Sequence, residues 1–254
     1  IVNRAFYGVS LLSTGDGLYT NAIYGFLNIL LKYTQSENPD YTVIAFDLKA
    51  PTFRHKKYDG YKANRKGMPE ELHVQMPVLK EVLTAMNIAC ISLEGYEADD
   101  LIGTVAKKCE EENVECLIVT GDRDSLQLAG NGVNISIPST RFGVTSTELM
   151  TPERIKEKYG ITPKQVIDLK SLMGDSSDNI PGVPGIGEKT AVKLLNEYET
   201  LDGVYANIEN MKGSVRQKLE NGKDSAYLSY FLATIDRNVP LENTLADFET
   251  KPYN

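Results

Sequence analysis

ECLIVTGDRD, residues 115–124, sets an apolar, β-branched run directly before two carboxylates, Asp122 and Asp124. Such a run reads as a buried strand. Acids just beyond it fall where open α/β sheets bind their ligands, outside the carboxyl ends of the strands. YTVIAFD (41–47) repeats the arrangement and ends at Asp47. IACISL (88–93) and VNISI (133–137) read as two further strands. Helical apolar spacing runs through 20–34, 70–86 and 97–112, with Pro77 tolerable only near a helix start or at a kink. Strands alternating with helices predict an α/β fold, with a mostly parallel central sheet flanked by helices. After about residue 150 no strand pattern is evident. TPERIKEKYG (151–160) opens with a capping Thr151 and a proline at the first helical position, and TPKQVIDLKSLMG (162–174) repeats that start. The expected organisation is an α/β core over 1–150, carrying a basic segment at about 51–88, and a helical subdomain over 151–254.

Two more acidic groups join the strand-end acids. Glu97, Asp99 and Asp100 sit in GYEADD, in the first turn of the 97–112 helix, and Asp175 and Asp178 sit in MGDSSDNIPG. Taken singly, each has an ordinary explanation. First-turn acids suit the helix dipole, Asp175 and Asp178 suit an Asx turn, and Arg123 is placed to pair with its neighbours. The set of four groups is what points to chemistry. Packed together, so many carboxylates would repel one another and could not all stay ionised. Hard divalent cations with oxygen preference relieve that repulsion. The pattern predicts a carboxylate site for Mg²⁺ or Mn²⁺, two or more ions, suited to phosphodiester cleavage.

The 254 residues suffice for one large domain or a domain with a substantial subdomain. Apolar runs are too short to span a bilayer, and no signal peptide is evident. Three cysteines without metal-ligand spacing argue against a disulfide framework and for a cytoplasmic protein, with the thiols in the core. His55 and His73 carry no matching ligand or triad partner. No Gly-x-Ser-x-Gly elbow, Walker loop or Rossmann fingerprint occurs.

A net charge of −8 argues at first against a nucleic-acid partner, but local charge decides phosphate binding. RHKKYDGYKANRK (54–66) holds Arg54, Lys56, Lys57, Lys62, Arg65 and Lys66 against one acid, with Tyr58 and Tyr61 interleaved. It reads as an exposed basic clamp whose tyrosines stack on bases. GVPGIGEKTAVKLL (182–195) places Gly182, Gly185 and Gly187 before a helix carrying Lys189 and Lys193 on one face. Glycines there permit positive φ and close backbone approach, and the helix start offers free N–H groups to a phosphate. Within 180–198 this predicts a helix-hairpin-helix turn gripping the duplex backbone, with turn carbonyls able to hold K⁺. The ordinary alternative is a structural helix-turn-helix corner.

FDLKAPTFRHKKYDGYKANR, GYEADDLIGT, TGDRDSLQL and LMGDSSDNIPGVPGIGEKTA, with NRAFYG near the start, together resemble the 5′ nuclease (5′–3′ exonuclease) domains of bacterial DNA polymerase I, in the flap-endonuclease superfamily. The resemblance covers nearly the whole chain. It implies the PIN-like 5′-nuclease fold and two divalent-ion sites. One would be held mainly by Asp47, Glu97, Asp99 and Asp122, with Asp100 and Asp124 close by, and the second would lie nearer Asp124, Asp175 and Asp178. Lys62 and Arg65 match the family's basic arch, which orients the scissile phosphate, and Arg54 and Tyr61 belong to the same DNA-facing stretch. Arg4 and Tyr7 match residues at the 5′ strand.

The implied activity is hydrolysis at 5′ ends and 5′ flaps of DNA, including RNA primers at primer junctions. The implied setting is a monomer at the bacterial nucleoid, with a polymerase region of the same polypeptide as a further partner. In the family an apolar strand ending in a ligand Asp precedes the point at which this sequence begins. A flap-DNA-binding domain without activity is therefore one alternative. A PIN-type ribonuclease and a phosphatase for small substrates are two others; the Gly-rich hairpin and the helical half disfavour the first, and the basic stretch and the hairpin would have no purpose in the second.

Overall fold

The computed structural model describes residues 1–141 and 144–253. The chain opens with α1 (Val2–Gly8) and α2 (Asn21–Glu37). There follow β1 (Val43–Ala45), α3 (Phe53–Lys57), α4 (Glu70–His73), α5 (Gln75–Ala85), β2 (Ala89–Ile91) and α6 (Ala98–Glu112). β3 (Cys116–Val119) leads into a 3₁₀ turn, Asp124–Leu128, and then into β4 (Val133–Arg141) and β5 (Val144–Met150). The remainder is helical: α7 (Pro152–Tyr159), α8 (Gln165–Met173), α9 (Glu188–Tyr198), α10 (Leu201–Ala206), α11 (Gly213–Asn221) and α12 (Lys223–Ala233).

The strand and helix positions follow the periodicity, with local differences. The expected 70–86 helix divides at Val74, and Pro77 then falls in the first turn of α5, where its missing N–H costs little. Thr151 caps α7 by accepting the Arg154 N–H, with Pro152 at the first helical position. α8 instead begins at Gln165, whose side chain accepts the Thr162 N–H (2.9 Å).

β1 and β2 pair in parallel, as do β3 and β4, but among the described residues these are two separate sheets rather than one. β5 was not legible. VTSTELM lacks an apolar run, yet the segment pairs antiparallel with β4. Its side chains alternate at the end, Met150 fully buried and Leu149 exposed, the mark of a strand covered on one face.

Six apolar clusters hold the described residues together, four of them larger than the others. α1, α2, α5 and β1 enclose Phe26, Leu30, Phe46 and Leu83. α6 and β2 pack on Leu245 and Phe248 near the end of the chain. Ile118 and Ile135 of the second sheet share a cluster with Ile155, Ile161 and Val166, so the sheet and the helical half have a common core. Leu172, Leu195, Leu201 and Leu219 centre the helical half. Each fully buried Leu or Ile contributes roughly 1.5–3 kcal/mol relative to exposure. Cys109 is buried, but Cys116 is half-buried and Cys90 exposed, so the thiols are not all in the core. No helix among the described residues is long and apolar enough to cross a membrane.

Candidate metal centre and nucleic-acid interface

The carboxylates gather at the carboxyl ends of β1 and β3. Phe46 N–H donates to the Ile91 carbonyl (2.9 Å), and Asp47 emerges just past this bond. Its Oδ1 accepts the Ala98 N–H (2.8 Å), which ties it to the start of α6. Glu97 and Asp100 cap that helix reciprocally, each side chain accepting the other's backbone N–H region. Asp122 follows β3, and its Oδ1 accepts the Asp124 N–H (3.0 Å). Asp175 and Asp178 lie in a loop closed by two backbone bonds between Asp175 and Ile180 (2.9 and 2.8 Å).

Burial, then the neighbouring carboxylates of Asp122, Asp47 and Asp124, push the Asp99 carboxyl up to about 7. These four acids thus share one electrostatic environment. Among the described residues no lysine or arginine forms an ion pair with Asp47, Asp99 or Asp122.

The other expected ligands have cationic partners. Lys62 Nζ donates to Glu97 Oε1 (2.8 Å) and lies 3.7 Å from Asp178 Oδ2. Arg65 pairs with Asp178. Lys170, which the sequence reading did not single out, pairs with both Asp124 and Asp175. Burial raises Asp124 to about 6 against the pull of Lys170. Burial would raise Asp175 too, but hydrogen bonds from Lys170 and Ser177 bring it down to about 2. Among the described residues no three His, Cys, Asp or Glu side chains are already drawn together as a ligand set. The group suits a hard divalent ion by its charge and its all-oxygen donors rather than by finished geometry.

Three expectations are corrected. Asp100 is fully buried, and its four acceptor positions are taken: Oδ2 accepts from Arg54 Nη1 (2.8 Å) and the Glu97 N–H (3.0 Å), Oδ1 from Arg54 Nη2 (2.7 Å) and the Asp236 N–H (2.8 Å). All four bonds serve the fold. Arg54, expected to face DNA, is its partner; 3% exposed, it also donates to the Leu232 and Thr234 carbonyls (2.9 and 2.6 Å). Tyr61, likewise expected to face DNA, is 3% exposed and donates its hydroxyl to Glu97 Oε2 (3.0 Å).

Nor is the basic run a free clamp. Lys62 N–H donates to the Asp178 carbonyl (2.8 Å), Asn64 to the Ser176 carbonyl (2.6 Å), and Asn179 to the Gly60 carbonyl (2.7 Å). Lys62 itself has φ +54°, a conformation held by these contacts. It sets the two expected arch residues directly beside the acidic loop. His55 closes a capping box with Thr52 at the start of α3.

Arg4 is exposed, and its Nη1 donates to the Gly121 carbonyl (3.5 Å), next to Asp122. Tyr7 is 73% exposed. In the helical half, Gly182 (φ +61°) and Gly185 (φ +83°) form the turn before α9, Gly187 is its N-cap, and Lys189 and Lys193 are exposed on it. Ser225 donates to the Gly182 carbonyl (2.6 Å) and Lys218 Nζ to the Gly185 carbonyl (3.0 Å), so two of the carbonyls expected to suit K⁺ already have donors.

A carboxylate centre at strand ends, beside an ordered basic segment and a Gly-rich helical hairpin, defines a protein of the phosphodiester-cleaving class. Residues 1–160 match the 5′–3′ exonuclease N-terminal resolvase-like domain, and residues 161–254 match the 5′–3′ exonuclease C-terminal SAM fold. The chain belongs to the 5′–3′ exonuclease family, as a 5′-nuclease domain.

DNA polymerase I of Caldicellulosiruptor bescii is 50% identical over 254 residues, 100% of this chain and 30% of that protein. DNA polymerase I of Bacillus subtilis is 46% identical over 252 residues, 99% of this chain and 28% of that protein. The chain therefore spans less than a third of the length of these relatives. The T5 5′-exonuclease structure with bound zinc shares the fold, with TM-score 0.70 and 21% identity over 84% of this chain and 81% of that one. So does the catalytic core of Rad2 in complex with DNA substrate, with TM-score 0.57 and 17% identity over 92% of this chain and 77% of that one.

Proposed function

We propose that the domain is a metal-dependent, structure-specific nuclease cutting DNA at 5′ ends and 5′ flaps, including RNA primers at their junctions with DNA. The observation that carries this reading is the Asp47, Asp99, Asp122 and Asp124 group, gathered at the strand ends, where burial and then the neighbouring carboxylates hold Asp99 up to about 7, with no lysine or arginine ion pair to Asp47, Asp99 or Asp122 among the described residues. Mg²⁺ or Mn²⁺ would be held there by Asp47, Asp99, Asp122 and Asp124, with Glu97 beside them, and a second ion by Asp124, Asp175 and Asp178. When bound, such ions supply Lewis-acid polarisation of the phosphodiester and an activated water.

The chain's own residues bring the substrate to that centre. Lys62 and Arg65, fixed against the 175–180 loop, present cations to the scissile phosphate and orient it for in-line attack. Arg4 and Tyr7 receive the 5′ strand across the Asp122 edge. Gly185, Gly187, Lys189 and Lys193 hold the duplex backbone, placing the junction over the acids, while Gly182, expected to join them, is buried and bonded to Ser225 and Ser229 as the turn's internal support. A K⁺ ion at the hairpin would exchange with the Lys218 ammonium at the Gly185 carbonyl. The biological setting is primer and flap removal in bacterial replication and repair, as a monomeric unit of a polypeptide that also carries a polymerase region, in the cytoplasm at the nucleoid.

The experiment is cleavage of a 5′-labelled flap duplex with Mg²⁺ and with EDTA, for the wild-type chain and Asp122→Asn. Cutting near the junction that needs Mg²⁺, and is lost in Asp122→Asn while flap binding persists, is the expected result. Turnover retained in Asp122→Asn would remove the acidic centre from the reaction. Tight flap binding without cutting by the wild type would favour a binding domain.

A further inference from the structure

The two halves of the acidic centre differ in one respect. Asp47, Asp99 and Asp122 carry no lysine or arginine ion pair among the described residues, whereas Asp124 and Asp175 share one ammonium, Lys170. These carboxylates come from different elements, the 3₁₀ turn after β3 and the loop after α8, and Lys170 reaches both from the last turn of α8. Its Nζ lies 2.5 Å from Asp175 Oδ2 and also donates to Asp124, and its side chain is only 15% exposed. The ammonium thus stands between two of the acids that would hold a second divalent ion.

We propose that Lys170 is a built-in competitor for the second divalent ion, holding Asp124 and Asp175 together until an ion displaces it. This rests on the acidic centre being a metal centre, as proposed above. A divalent ion brings twice the charge of the ammonium, but it must give up hydration to enter. The lysine's flexible four-carbon stem lets the head swing aside without moving α8. The second site is therefore weak in the protein alone and fills when a phosphodiester arrives, because the phosphate adds oxygen ligands for the ion and an anionic partner for the displaced Lys170. Occupancy of the two-ion centre becomes coupled to substrate, and Lys170 is a positioning residue for it.

The test is Mn²⁺ binding to the DNA-free protein, by calorimetry and by the free-Mn²⁺ paramagnetic resonance signal. It compares the wild type with Lys170→Met, Lys170→Arg and Lys170→Met/Asp175→Asn, each checked for folding by thermal melting. Lys170→Met should gain about tenfold or more in affinity at one site, the size expected for removing a close, partly buried competing charge. Lys170→Arg should keep the wild-type isotherm, and Asp175→Asn should abolish the gain. Lys170→Gln, which keeps an N–H donor to the carboxylates without the charge, should show the same gain and serves if the methionine variant does not fold. Mn²⁺ binding that is unchanged or weaker without the lysine charge would overturn the proposal while leaving the metal centre intact. Absence of Mn²⁺ binding from every form would overturn both.

Discussion

Arg54 shows how residue type and residue role part company. In the sequence it heads a basic run, and a charge run near tyrosines reads as a nucleic-acid face. In the structure it is 3% exposed and makes a two-pronged pair with Asp100, which is fully buried. The guanidinium fork matches a carboxylate in this way where a lysine would not. Removing one partner of a buried pair strands the other as an uncompensated charge, at a cost of about 3–5 kcal/mol. Arg54→Ala is therefore expected to lower the unfolding free energy, measured by chemical denaturation, by an amount in that range. A variant with wild-type stability and impaired flap binding would return Arg54 to the DNA face. The charge of Arg54 is legible in the sequence, but its direction is not, because the partner lies 46 residues away and the pairing depends on how α3 docks on α6. Lys170 was missed for the opposite reason: one lysine in a mixed helix carries no signal until the GDSSD loop folds back over its end. Asp47, Asp99 and Asp122 were legible because each sits at a strand end or a helix start, where local pattern fixes position.

At the scale of elements, the Gly-rich hairpin separates geometric need from ligand need. Gly182 has φ +61°, and a Cβ there would stand 2.2 Å from the backbone nitrogen of Gly174. Gly187 lies outside the left-handed region as an N-cap, and a Cβ there would meet nothing within 4 Å. Gly182→Ala is thus expected to unseat the hairpin, losing about 1–3 kcal/mol or more, measured by thermal unfolding. Gly187→Ala should cost no more than about 1 kcal/mol; a fall in duplex affinity there would then report a lost close approach. A large stability loss in Gly187→Ala would sink that distinction.

The helices behind the hairpin carry their own pH signature. Burial, then Tyr227 and Asp224, push the Tyr205 hydroxyl up to about 12; it is 8% exposed and donates to the Leu219 carbonyl (3.2 Å). A phenol whose folded pKa exceeds its unfolded value of about 10 binds its proton more tightly in the fold, so its contribution is complete below pH about 10 and is lost as pH rises towards 12. The wild type should lose about 1.4 kcal/mol per pH unit from this group across that window, and Tyr205→Phe should flatten the decline. An unaltered alkaline unfolding curve in Tyr205→Phe would remove Tyr205 as its source. The helices themselves were legible from caps and spacing. β5 was not, because a strand with one covered face and a polar run through 145–148 owes its existence to β4.

The whole molecule carries a net charge of −8, yet its proposed partner is a polyanion. The acids are concentrated where ions would offset them, and the exposed lysines of α9 lie on the other half of the molecule, so attraction to duplex depends on a few local charges rather than on the total. That division makes salt dependence a direct reading of the interface. Each phosphate neutralised by a lysine contributes about −0.9 to the slope of log affinity against log salt for duplex DNA. If Lys189 and Lys193 each meet a phosphate, Lys189→Ala/Lys193→Ala should make the slope for a plain duplex shallower by about 1.8. The loss of affinity should be largest at low salt and shrink as salt rises, because the missing contribution is counterion release. Binding should be measured in EDTA, so that ions at the acidic centre do not add their own charge. A slope unchanged within error, with affinity lowered equally at all salt concentrations, would mean that α9 supports the hairpin's shape and does not face the duplex.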